Sequence, residues 1–113
     1  MNYRPQRVSN LIQEELGKLL LREVEFEEGV LVTITGVDVN DNLEHARVRV
    51  SVFPSEKFKK ALMVLQKMTA SLQYKLLKKL NIKPMPKISF EVDHGLENAA
   101  RVEKALLEGD NGR

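Results

Sequence analysis

Apolar residues along the chain alternate between two periods. Residues 5 to 24 carry Val8, Leu11, Ile12, Leu16, Leu19 and Leu20 at helical spacing, which predicts an amphipathic first helix. Pro5 suits its first position, where the missing N–H costs nothing. After an acidic linker, Glu25-Phe26-Glu27-Glu28-Gly29, the period drops to two. Val30, Val32 and Ile34 share one face of a strand running to Val39. Beyond Gly36 the apolar parity flips to Val37 and Val39, and a flip at a glycine predicts a β-bulge. Asn40-Asp41-Asn42 is turn chemistry. A second strand, Glu44 to Phe53, places Ala46, Val48, Val50 and Val52 inward and Arg47, Arg49 and Ser51 outward. The two strands should form an antiparallel hairpin.

The helical period then returns. Phe58, Leu62, Leu65, Leu72, Leu76 and Leu80 form the stripe of a long helical unit, with Ser55 as its expected N-cap and Asn81 as its stop ahead of Pro84 and Pro86. A single helix from Ser55 to Leu80 would be about 39 Å long, whereas an eight-residue strand spans about 26 Å. A straight rod would overhang the sheet and expose Leu76 and Leu80. A bend or break is therefore expected where the residues turn small and polar, at Met68, Thr69, Ala70 and Ser71. A third strand, Lys87 to Asp93, turns Ile88, Phe90 and Val92 inward. Its long helical connection makes it parallel to the second strand, through a right-handed crossover. The second strand is expected in the centre, with the first strand in the centre as the alternative. Leu96, Ala99, Ala100, Val102, Leu106 and Leu107 predict a last helix, stopped at Gly109.

The order is thus α-β-β-α-(kink)-α-β-α, an α+β fold with a three-stranded mixed sheet and all helices packed on one face. Residues 1–109 read as one domain and 110–113 as a short polar tail. A length of 113 residues agrees with one domain and one core. The absence of cysteine excludes disulfides and thiolate metal sites. The N-terminus has no apolar leader pattern, and no apolar run approaches membrane-spanning length. A cytoplasmic protein that engages no membrane is expected.

Net charge is only +2, but its distribution changes the picture. Seven acids and no Lys or Arg lie between Glu23 and Glu44; nine lysines and no acid lie between Lys57 and Lys87. Such segregation presents a basic face to a polyanion despite near-neutral totals. Catalytic patterns are weak by comparison. His94 follows Asp93, and neighbouring side chains on an extended segment point apart, so His94 reads as a solvent-exposed turn histidine. Neither a Gly-rich phosphate loop, a nucleophile elbow nor a spaced metal-ligand set is present. No enzyme activity, cofactor, metal or small-molecule substrate is expected. The acids of Glu23 to Glu28 lack the spacing of a calcium loop and read as a solvated linker.

Nucleic acid fits the basic pattern. Arg4 and Arg7 are candidate phosphate anchors; Lys67, Lys75, Lys78, Lys79 and Lys83 form the candidate basic face. Arg47 and Arg49 come second, because Glu91 on the neighbouring strand could pair with them. Aromatics make up 5% of the chain and Trp is absent, so base-stacking platforms are not expected, and contacts should be led by phosphate and sugar and should read RNA shape. The alternative is a protein-interaction module that binds an acidic partner through the same lysines.

The element order resembles a type II KH domain. KH domains grip RNA backbone with a GXXG loop, and here that place holds Met68-Thr69-Ala70-Ser71. With Arg4-Pro5-Gln6-Arg7-Val8, Arg22-Glu23-Val24, Val32-Thr33-Ile34-Thr35-Gly36-Val37, Leu43-Glu44-His45-Ala46-Arg47-Val48-Arg49-Val50, Pro86-Lys87-Ile88-Ser89-Phe90 and Asp93 in view, residues 3 to 107 resemble the bacterial ribosome-binding factor A family. The resemblance implies a KH-like fold whose GXXG loop is replaced by an Ala-X-Gly helix kink. It implies a monomer that binds the free or immature 30S subunit and its 16S rRNA, assists late maturation including 5′-end processing, and matters most in the cold. The family's kink glycine aligns with Ala70, and a family arginine shortly after it aligns with Gln73.

Overall fold

The computed structural model describes residues 4–94. Its elements are α1 (Pro5–Glu23), β1 (Leu31–Val39), β2 (His45–Phe53), one 3₁₀ turn (Ser55–Lys57), α2 (Phe58–Leu80) and β3 (Lys87–Val92). The strands form one sheet in the order β1-β2-β3, with β2 in the centre as expected. β1 pairs antiparallel with β2, and β2 pairs parallel with β3. The last helix expected from Leu96 to Leu107 lies outside the described residues.

The parity flip at Gly36 is a bulge. Ile34 sits opposite Val50 and Gly36 opposite Arg49, leaving Thr35 as the extra residue. The bulge lets both halves of β1 keep apolar side chains on the helix side, because the sequence gains one residue where the face would otherwise reverse. Both helices cover that side, α1 mainly over β1 and α2 mainly over β3. Val8, Ile12 and Leu16 of α1, Val48 and Val50 of β2, and Leu65, Leu72 and Leu76 of α2 are fully buried between the layers. Burying one such side chain contributes about 1.5–3 kcal/mol.

Two expectations about α2 are corrected. Of the bend or break expected at Met68, Thr69, Ala70 and Ser71, the break does not occur: the chain is helical from Phe58 to Leu80. The sheet is not the only cover for this helix. Leu76 is buried because the C-terminal half of α2 also rests beside α1 and over the connection to β3, where Ile82 and Pro86 are themselves buried. The Thr69 hydroxyl donates to the Leu65 carbonyl at 2.8 Å, which satisfies it inside the helix. Met68 and Ala70, good helix formers, maintain the run. Secondly, Ser55 does not cap α2. The chain enters through the 3₁₀ turn, in which the Lys57 N–H donates to the Pro54 carbonyl at 3.0 Å, and no side-chain cap forms. The stop is as expected: Asn81 adopts the left-handed conformation (φ 52°), and its N–H donates to the Leu77 carbonyl.

Candidate nucleic-acid interface

The long helix supplies the charge. α2 contains no Asp or Glu. At 100° per residue, Lys60, Met63, Lys67, Ala70, Ser71, Tyr74 and Lys78 fall on the side opposite the buried Leu65 and Leu72, and all seven are exposed. Lys79 and Lys83 are exposed near the C-terminal end of α2. Among the described residues, none of Lys67, Lys78, Lys79 and Lys83 is ion-paired. Arg4 and Arg7 are likewise exposed and unpaired there, at the start of α1, where Arg4 is the N-cap with extended backbone.

Lys75 behaves differently from its neighbours. Its ammonium donates to the Glu23 carboxylate at the end of α1. That hydrogen bond, the Lys75 charge and, more weakly, Arg22 hold the Glu23 carboxyl below its ordinary value, against a smaller opposing effect of burial. Glu27 similarly takes Lys57 at 3.2 Å and Lys60 at 4.0 Å. The acidic segment from Glu23 to Glu28 is therefore more than a solvated linker. It fastens itself to α2 through both acids and neutralises part of the lysine set. A shallow groove of about 290 Å³, lined by Glu15, Leu19, Glu23, Lys75, Lys78 and Lys79, marks the seam between the helices.

The two sheet arginines are also engaged. Arg47 Nη1 lies 3.9 Å from Glu91, the pairing foreseen for it. Arg49 is held more firmly. Asp38 Oδ2 lies 3.0 Å from its Nε and Asp93 Oδ2 lies 3.7 Å from its Nη1. The Nε is buried and makes no hydrogen bond, so the contact with Asp38 is Coulombic. A Cβ at Gly36 would run into this guanidinium; the bulge glycine is the floor on which Arg49 lies. The Thr35 hydroxyl, carried by the bulge, donates to Asp93 Oδ2 at 2.8 Å. His94, next along the chain, is half-buried. Its ring meets Phe58 edge-on at 5.1 Å, which corrects its reading as a solvent-exposed residue.

Two placements escaped the sequence reading. Gln73 is half-buried and turned to β3. Its amide donates to the Pro86 carbonyl and accepts from the Ile88 N–H, both at 2.8 Å. Tyr74 is 59% exposed on the outer ridge of α2, with the Lys78 ammonium 5.3 Å from its ring centroid. Its spacing from Lys67 (seven residues) and Lys78 (four) was the available signal. Among the described residues there is no cluster of His, Asp or Glu able to hold a metal ion, and no helix long and apolar enough to cross a membrane.

Known proteins resemble this chain in sequence and in fold. A family model described as ribosome-binding factor A matches residues 4–106. A ribosome-binding factor A of Halothermothrix orenii is 33% identical over 104 residues, covering 91% of this chain and 85% of the relative. One from Coxiella burnetii is 30% identical over 115 residues, covering 98% and 97%. Among solved structures, the crystal structure of ribosome-binding factor A from Thermus thermophilus superposes with a TM-score of 0.63. It is 19% identical, with 80% of this chain and 97% of that chain covered. A Thermus thermophilus ribosome-binding factor A model, fitted into a cryo-EM map of its complex with the 30S subunit, gives 0.56. There the identity is 20% and the coverage 74% and 92%.

Proposed function

The chain belongs to the ribosome-binding factor A family, and from that premise we propose that it binds the free or immature small ribosomal subunit and assists late 16S rRNA maturation. The observation that carries this reading is the acid-free outer ridge of α2, whose lysines at 67 and 78 are exposed and unpaired among the described residues. A ridge of this kind takes phosphate oxygens without reading sequence, which suits the folded surface of an rRNA. Lys67, Lys78, Lys79 and Lys83 are assigned as phosphate contacts, and Arg4 and Arg7 as anchors at the start of α1. Lys75, Arg47 and Arg49 are demoted, because each already holds a carboxylate.

The protein acts by binding, as a monomer in the cytoplasm, without cofactor or bond-making chemistry. Such a factor shifts rRNA populations only by preferring one conformation over another. Misfolded rRNA escapes more slowly at low temperature, so loss of the protein should be felt most in the cold, as unprocessed 5′ ends. The test is a deletion strain grown cold, with 16S rRNA ends mapped and subunit profiles recorded. Extended 5′ ends, excess free subunits and co-sedimentation of the protein with small subunits are expected. Normal ends, normal profiles and no co-sedimentation would falsify the reading and favour an acidic protein partner.

A further inference from the structure

Resting on that reading, we propose that Tyr74 is a stacking platform for an unpaired nucleobase of the bound RNA, flanked by lysines that take the neighbouring phosphates. Tyr74 leaves more than half of its surface in water, so the core does not account for an aromatic at this position. Every residue on its side of α2 is basic, small or neutral, and the helix carries no acid. Lys78 stands one turn beyond it, about 6 Å along the axis, and Lys67 two turns before it, about 10 Å away.

The direction of helical side chains makes the ring accessible. Side chains on a helix lean toward the turn that precedes them. Lys78 therefore leans onto Tyr74, which is the 5.3 Å contact between ammonium and ring. Tyr74 in turn leans toward Ala70 and Ser71. These two side chains are too short to cover the ring, so its approach from the N-terminal side stays open while Lys78 occupies the other. An aromatic with one side open and a cation on the other is the arrangement that accepts a flat π-system next to a phosphate. Stacking tolerates any base but requires an unpaired one. The site therefore selects loops, bulges or single-stranded ends over continuous duplex.

The test uses the full-length protein and two RNA probes, a hairpin with an adenine-rich unpaired loop and a fully paired duplex of equal length. Tyr74→Ala should weaken hairpin binding roughly 5- to 150-fold, the range for removal of one stacking aromatic, and leave duplex binding unchanged. Tyr74→Phe should retain most of the affinity. The dependence of hairpin affinity on salt should be the same in Tyr74→Ala as in the parent, because no phosphate contact is lost. The chain has only two tyrosines, Tyr3 and Tyr74, so in a Tyr3→Phe background the hairpin loop should quench the remaining tyrosine fluorescence.

Three outcomes overturn the proposal. Equal affinity of Tyr74→Ala and parent for the hairpin, or for small subunits that the parent binds, removes the platform alone. A loss accompanied by a shallower salt dependence shows that Tyr74 only positions Lys78. A parent protein that binds an acidic polyglutamate peptide but neither RNA probe nor small subunits overturns this site together with the function it rests on.

Discussion

The outer face of the sheet and the outer ridge of α2 both carry cations, and they differ in what faces them. On the sheet, Arg47 meets Glu91 and Arg49 lies between Asp38 and Asp93. On the helix, Lys67 and Lys78 meet no carboxylate among the described residues. The guanidiniums are engaged in holding strands together; the ammoniums remain available to a polyanion. A count of basic residues does not distinguish the two surfaces. The position of the nearest acid does, and for Arg49 that acid is 11 residues before it (Asp38) and 44 after it (Asp93).

The largest effect should come from removing the helix charges. Lys67→Gln, Lys78→Gln and Lys79→Gln together should make the salt dependence of RNA binding shallower by about 2 units, at about 0.7 per lost phosphate contact on a single strand. Thermal unfolding should barely move, since these side chains are exposed. A filter-binding titration at several salt concentrations checks the first, and a melting curve the second. An unchanged slope would place the RNA elsewhere.

Arg49→Ala should do the reverse. It removes two partly exposed ion contacts and should cost about 1 kcal/mol of stability by denaturant titration, with an unaltered salt slope. Gly36→Ala sharpens the point. In the parent it should push the guanidinium off the bulge and destabilise by somewhat less than loss of the arginine itself. In an Arg49→Ala background the same change should be harmless or stabilising by about 0.5 kcal/mol, because a Cβ restricts the unfolded chain and no longer meets a neighbour. Additive effects in this double-mutant cycle would mean that glycine and arginine are not coupled.

The smallest effect should be at Glu23, which engages a helix lysine beside the ridge, Lys75, as the sheet acids engage their arginines. Its carboxyl titrates below the ordinary range because Lys75 hydrogen-bonds its charged form. The fastening is therefore complete above the ordinary carboxylate value and is lost as pH falls through the lowered folded value. A carboxyl carbon titration by NMR should show that lowered midpoint, and Lys75→Met should return it toward the ordinary one. Glu23→Gln should free Lys75 and steepen the salt dependence of RNA binding by no more than about 0.7.

The elements of the described chain were legible because alternation and helical spacing are local. Val48, Val50 and Val52 identify β2 to within a residue of its ends, and the parity change at Gly36 locates the bulge. The parallel pairing of β3 followed from the length of the connection. The continuity of α2 was missed because the cover for Leu76 comes from α1 and from Ile82 and Pro86, which no periodicity in the helix itself reveals. The candidate interface was legible as a stretch of lysines, not as individual roles. Lys75 and Lys78 are three residues apart in one helix, yet one holds Glu23, 52 positions away, and the other lies over a ring. Partners that meet only after folding assign those roles.

Gln73 bears on how the sheet ends. β3 is an edge strand, and Lys87 and Asp93 donate their N–H groups inward, to Glu44 and Val50. The groups at Pro86 and Ile88 are the ones a further strand would bind, and the amide of Gln73 already engages both. One side chain thus imitates a strand at the place where a foreign chain would begin to zip on. Unpaired strand edges invite such additions, and folded proteins block them in varied ways. In this molecule the same helix that turns its lysines outward turns a glutamine inward to seal the start of that border, so a sticky edge and a lysine ridge are kept apart on a single rod.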